Sequence, residues 1–177
     1  MRPLLPLFSL LLVFWLAGCE GNTVDRSAAP TAAALQMPEE MPEDFAFSVR
    51  FGIMGKNEMN TFNHTITKDL VTHGTAQAAL TFTNSEMADI YARLREINIL
   101  RELNLQPLKQ GCRQTPYEEE HWQIQLNGDQ HSFDWSEENC EVGGDAKRLK
   151  ELRSYIWERV ITKPEYLELP EAVGGYD

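Results

Sequence analysis

Four histidines, His64, His73, His121 and His131, and a dense run of carboxylates are the residues of this chain whose types could do chemistry. The sharpest arrangement involves His121. His121–Leu126 and Gln130–Trp135 read as two strands joined around Asn127-Gly128-Asp129, and a two-residue turn at Asn127-Gly128 sets His121 directly opposite Asp134. A turn at Gly128-Asp129 does not. A histidine beside a carboxylate is how an enzyme orients a general base, but an exposed cross-strand polar pair uses the same residues without catalysis. A nucleophilic triad also needs a third member, and none can be named. The chain has no GxSxG elbow, no HExxH and no phosphate-cradling glycine loop. No catalytic residue is therefore assigned, and a hydrolase using His121 and Asp134 stands only as an alternative. Thr67-Lys68-Asp69 reads as polar turn chemistry.

The carboxylates set limits on partners. Between Gln114 and Ala146 lie Glu118, Glu119, Glu120, Asp129, Asp134, Glu137, Glu138, Glu141 and Asp145, with no Lys or Arg among them, in a chain of net charge -11. Nothing there neutralises phosphate, which argues against nucleic acid, and anionic lipid headgroups are repelled as well. A basic protein surface suits this region better. The plainest reading is a solvated face that keeps the domain soluble. Calcium is the cation to consider for Asp134, Glu137, Glu138, Glu141 and Asp145. The spacing departs from an EF-hand loop, without its alternating ligands or its glycine at the sixth position, so no metal and no cofactor are assigned.

Arg2, the apolar stretch Leu4 to Leu16 and then Leu16-Ala17-Gly18-Cys19 resemble the signal peptide and lipobox of bacterial lipoproteins. The apolar stretch is too short to span a bilayer comfortably. The resemblance implies cleavage between Gly18 and Cys19, lipidation of Cys19 and loss of residues 1–18. Loss of Arg2 takes the net charge from -11 to -11 minus 1, or -12. The mature chain is then anchored to a lipid bilayer and faces outside the cytoplasm. Glu20 follows the anchor where Asp would be the usual retention signal. A Gram-negative source would thus place the protein in the outer membrane, and a Gram-positive one on the outer face of the plasma membrane.

From 19 to 44 the composition turns to Ala, Pro, Thr and acidic residues without apolar periodicity, a tether with an r.m.s. reach of roughly 25–30 Å. Residues 45–177 are the size of one domain. With Cys19 set aside, Cys112 and Cys140 remain, and two thiols in one small exported domain point to a disulfide, two free thiols being the alternative. The bridge would close about 29 residues across the base of the second hairpin, worth near 3 to 4 kcal/mol in the loop-entropy account.

The elements that position these groups follow from periodicity. Phe45, Phe47, Val49, Phe51 and Ile53 alternate with smaller or polar residues, the pattern of a half-buried strand over about 45–53. Gly52, Gly55, Lys56 and Asn57 mark a turn, and strands are expected at about 61–68 and 75–83, separated by a turn at His73-Gly74. Thr83 and Glu86 fit a capping box that opens a helix over about 84–97, whose apolar stripe is Met87, Ile90, Tyr91, Leu94 and Ile97. The second hairpin occupies 121–126 and 130–135, and a two-residue turn puts Trp122, Ile124 and Leu126 on one face with Phe133 and Trp135. Gly143-Gly144-Asp145 introduces a last helix over about 146–161, ended by Pro164.

The expected fold class is α+β, an antiparallel sheet built from two hairpin-type units, each followed by a helix packed on the sheet. The aromatic first strand, Thr65-Ile66-Thr67-Lys68-Asp69-Leu70 and the threonine-capped helix resemble small uncharacterised lipoproteins of Gram-positive bacteria. The element order with a tryptophan-bearing hairpin is also similar to emfourin-type inhibitors of thermolysin-like proteases, without a matched inhibitory loop. The functional expectation is a membrane-anchored extracytoplasmic lipoprotein whose domain is a noncatalytic binding or protein-interaction module. A protease-inhibitor-like domain is its concrete alternative.

Overall fold

The computed structural model describes residues 36–109 and 111–177. Gly18 and Cys19, the expected cleavage and lipidation positions, lie outside the described residues. The fold is α+β, with a six-stranded antiparallel sheet in the order β4-β3-β2-β1-β5-β6. Its strands are β1 (Ala46–Ile53), β2 (Asn57–Asn60), β3 (Thr65–Asp69), β4 (Thr75–Ala79), β5 (Glu118–Leu126) and β6 (Asp129–Ser136). The helices are α1 (Asn84–Ile97), α2 (Gly144–Val160) and the short α3 (Pro164–Leu167).

Alternation decides which face of the sheet is core. Phe47, Val49 and Phe51 of β1, Met59 of β2, Ile66 of β3, and Trp122 and Ile124 of β5 are buried in one cluster. Ile90, Tyr91 and Leu94 of α1 and Leu149, Leu152 and Ile156 of α2 close that cluster from above. Each such side chain stabilises the fold by about 1.5–3 kcal/mol through removal from water. The helices therefore share one face of the sheet, and the opposite face is left polar.

Two expected strands are redrawn. The expected strand at 61–68 is a turn followed by β3, and Asn57–Asn60, of which the sequence assigns Asn57 to a turn and the rest to no element, is β2 paired with β1. Asn60 and Thr61 explain the break. The Asn60 carboxamide accepts from the Asn63 amide at 3.1 Å, the Thr61 hydroxyl donates to the Phe47 carbonyl at 2.9 Å, and His64 takes a left-handed φ of 54°. With only Met59 apolar, β2 carries no alternating signal of its own, and its pairing to β1 supplies the order. The expected strand at 75–83 ends at Ala79, because Leu80 turns into the core and Thr83 must leave the sheet to cap α1.

The capping box forms as the spacing predicts: the Glu86 amide donates to Thr83 Oγ1 at 3.2 Å and the Thr83 amide to Glu86 Oε2 at 2.7 Å. The second hairpin turns at Asn127-Gly128, with φ of 52° and 82°, the doubly left-handed turn that suits a twisted hairpin. Asp44 braces it. Its carboxylate accepts from the Asn127 and Gly128 amides at 2.8 and 2.7 Å, and these two bonds hold the carboxyl below the usual range. Pro164 does not simply end the chain's last helix; it opens α3 at its first turn.

The folded body also takes in residues that composition had assigned to the tether. Met37 is buried against the core, and the Tyr91 hydroxyl donates to the Pro38 carbonyl at 2.8 Å. Among the described residues no helix is long and apolar enough to cross a membrane.

Candidate functional site

Strand pairing places His121 directly opposite Asp134 on one side and Arg50 on the other. All three are on the face that the helices leave open. Asp134 Oδ1 lies 3.3 Å from His121 Nδ1, and Glu119 Oε1, two residues along the same strand, lies 3.3 Å from Nε2. Both ring nitrogens therefore face carboxylates. A general base needs one nitrogen turned to a nucleophile, and the Asp134 side chain is 70 % exposed on an open sheet rather than set in a cleft. The arrangement is an imidazole clamped between two acids. Across the strand, Arg50 Nε donates to the Gly55 carbonyl of the β1–β2 turn at 3.3 Å. Gly55 is close enough to this group that a Cβ there would meet Glu119 Oε1 and His121 Cδ2 at 3.4 Å each.

His64, His73 and His131 do not join the group. His64 and His73 sit in turns flanking β3, and His131 pairs with Ile124 on the other face of β6. The open face also carries Ser48, Glu58, Asn60, Thr65, Thr67, Gln77, Gln123, Gln125, Gln130 and Ser132, with Ala46 and Ala79 among them, assigned by alternation within the ladders.

The acidic run disperses instead of converging. Asp145 holds Arg101 through two oxygens and accepts from the Asn104 amide at 2.9 Å, so the guanidinium keeps its carboxyl below the usual range. Glu137 pairs with Lys150 at 2.6 Å, Glu138 with Arg113 at 3.6 Å, and Glu141 with Lys109. The partners come from outside the acidic segment, which is why the sequence showed only uncompensated charge. Among the described residues, no group of three or more His, Cys, Asp or Glu side chains is placed to hold a metal ion.

One carboxylate behaves differently. Glu120 alternates with His121 and so points into the core, where it is 1 % exposed. It accepts from Trp122 Nε1 at 2.8 Å, Trp135 Nε1 at 3.1 Å and Arg153 Nε at 2.9 Å. Burial pushes its carboxyl up from the ordinary value of 4.5, against these donors and the Arg153 charge. Sequence reasoning grouped Glu120 with the surface acids; its even register with Trp122 was the available signal.

Cys112 and Cys140 form a disulfide with a Cα separation of 5.9 Å. It clamps the base of the β5–β6 hairpin, beside the Gln114 amide bond to the Glu138 carbonyl at 2.9 Å. Comparison of the chain with protein-family models and with curated proteins gives no match.

Proposed function

We propose that this chain is a lipoprotein anchored through an acylated Cys19 to the extracytoplasmic side of a membrane, and that its domain is a noncatalytic module that binds a protein with a basic surface. The anchor rests on the likeness of Arg2, the apolar stretch and Leu16-Ala17-Gly18-Cys19 to a lipoprotein signal. A disulfide in a small domain agrees with an oxidising compartment. The observation that carries the module reading is the polar sheet face opposite the helices, with His121 clamped between two carboxylates rather than aimed at a nucleophile. The same reading treats the domain as two related units, β1–β4 with α1 and β5–β6 with α2, joined where β1 pairs with β5.

Two measurements test it. Labelling with a palmitate analogue should mark the wild-type chain in the membrane fraction, and Cys19→Ser should remove both the label and the membrane attachment; a wild-type chain free in cytosol with its initiator methionine would end the anchor reading. Capture from membrane extracts with the full chain should recover a protein with a basic surface. Recovery of nothing above background would count against the module.

A further inference from the structure

At the end of the sheet where β1 leaves and β5 enters, a hollow of about 510 Å³ opens beside the clamped histidine. Its walls are Ile53, Met54, Pro116, Tyr117, Glu119 and Tyr176. That volume lies within the range of about 300–1,000 Å³ common to ligand sites. The wall formed by Tyr176 is built rather than incidental. Its hydroxyl donates to Asp69 Oδ2 at 2.6 Å and accepts from Lys56 Nζ at 2.9 Å, which fixes a residue far along the chain against the β1–β2 turn.

We infer that this hollow is a receptor for an arginine or lysine side chain, with a neighbouring apolar residue, presented by the protein partner. The inference rests on the binding-module reading and adds the position and chemistry of the contact. The two charged side chains that line the hollow, Glu119 and Asp177, are both acidic. An anion would meet two carboxylates there. A wholly apolar ligand would strip water from Glu119 without supplying a counter-charge, which costs free energy. A cation on an apolar stem meets the Tyr117 ring and the carboxylates by its charge and the Ile53, Met54 and Pro116 surfaces by its methylenes. Net charge of -11 draws such a partner in. Lys56 already lies 4.9 Å over the Tyr176 ring and bonds its hydroxyl, so the incoming cation is left the Tyr117 side of the hollow, with Glu119 and Asp177.

Met54 supplies the second observation. It is held at φ 58° in the tight turn it forms with Gly55 at φ 57°, and the residue is 67 % exposed at the hollow. Folding gains little from a large apolar side chain that stays in water, and the left-handed backbone would favour glycine. The turn accounts for the backbone, and the exposed apolar side chain on the wall of the hollow is free to make contact.

The test uses the full chain in detergent with methionine methyl groups labelled with ¹³C. Among the methionine signals, Met54 is the one lost in Met54→Leu. A blocked Leu-Arg-Leu tripeptide should move the Met54 signal saturably, and the same peptide with citrulline, which keeps the shape and loses the charge, should bind at least tenfold more weakly. Glu119→Gln should weaken the arginine peptide to a similar degree while the other methyl signals stay in place. An unmoved Met54 signal, equal binding of the citrulline peptide, or unchanged affinity in Glu119→Gln would overturn the inference. None of these outcomes depends on the natural partner, so failure here removes the hollow while partner capture judges the module reading separately.

Discussion

At the scale of single residues, neighbouring carboxylates of one strand do opposite things because alternation sends them to opposite faces. Glu120→Ala would orphan two indole N–H groups and leave Arg153 with only Glu118, 3.2 Å away, so we expect a loss of about 3 kcal/mol in urea unfolding followed by tryptophan fluorescence. Asp145 is held below its ordinary 3.8 by Arg101, so its contribution is full above that value and disappears as pH falls through the lower folded value. Asp145→Asn should therefore flatten the acid limb of a stability-versus-pH curve below about pH 4, and an unchanged limb would refute the assignment. Glu120 acts with the other sign: its folded value is raised, so its ionisation costs stability as pH climbs from 4.5 upward. Met54→Gly relieves the left-handed backbone and should raise stability by up to about 1 kcal/mol, read as a higher melting temperature, while removing a wall of the hollow.

At the scale of elements, caps and cross-links do the fixing. Thr83→Ala removes one half of the capping box and should cost about 1 kcal/mol in chemical denaturation. The Cys112–Cys140 bridge ties loops that flank β5 and β6, and replacing both cysteines by serine should cost about 3 to 4 kcal/mol. These elements were legible because their signals are local: an alternating aromatic strand, a threonine three residues before a glutamate, and Asn-Gly between two apolar runs. The strand β2 was not, since a segment reading Asn-Glu-Met-Asn is ordered by the neighbour it pairs with and not by its own pattern. Thr61 likewise stops the ladder through a bond to the distant Phe47 carbonyl, helped by the local bond of Asn60 with the Asn63 amide.

At the scale of the whole molecule, three helices on one side leave a polar sheet face and a terminal hollow on the other. If a basic partner docks there, its affinity should fall as salt rises from 0.05 to 0.5 M by isothermal titration, since exposed charges separated by more than about 10 Å are screened at 0.1 M. Composition alone determined that this chain is acidic, because net charge is a sum and needs no coordinates. Periodicity determined most of the strands, α1, α2 and the His121–Asp134 pairing across one of two turn registers, because each depends on residues a few positions apart. Only the tertiary structure decided that Glu119 takes the second nitrogen of His121, that Lys109, Arg113 and Lys150 answer the acidic run, and that Tyr176 closes a hollow against Met54. Those contacts join residues distant in the chain, and their partners are set by how strands and loops pack in three dimensions.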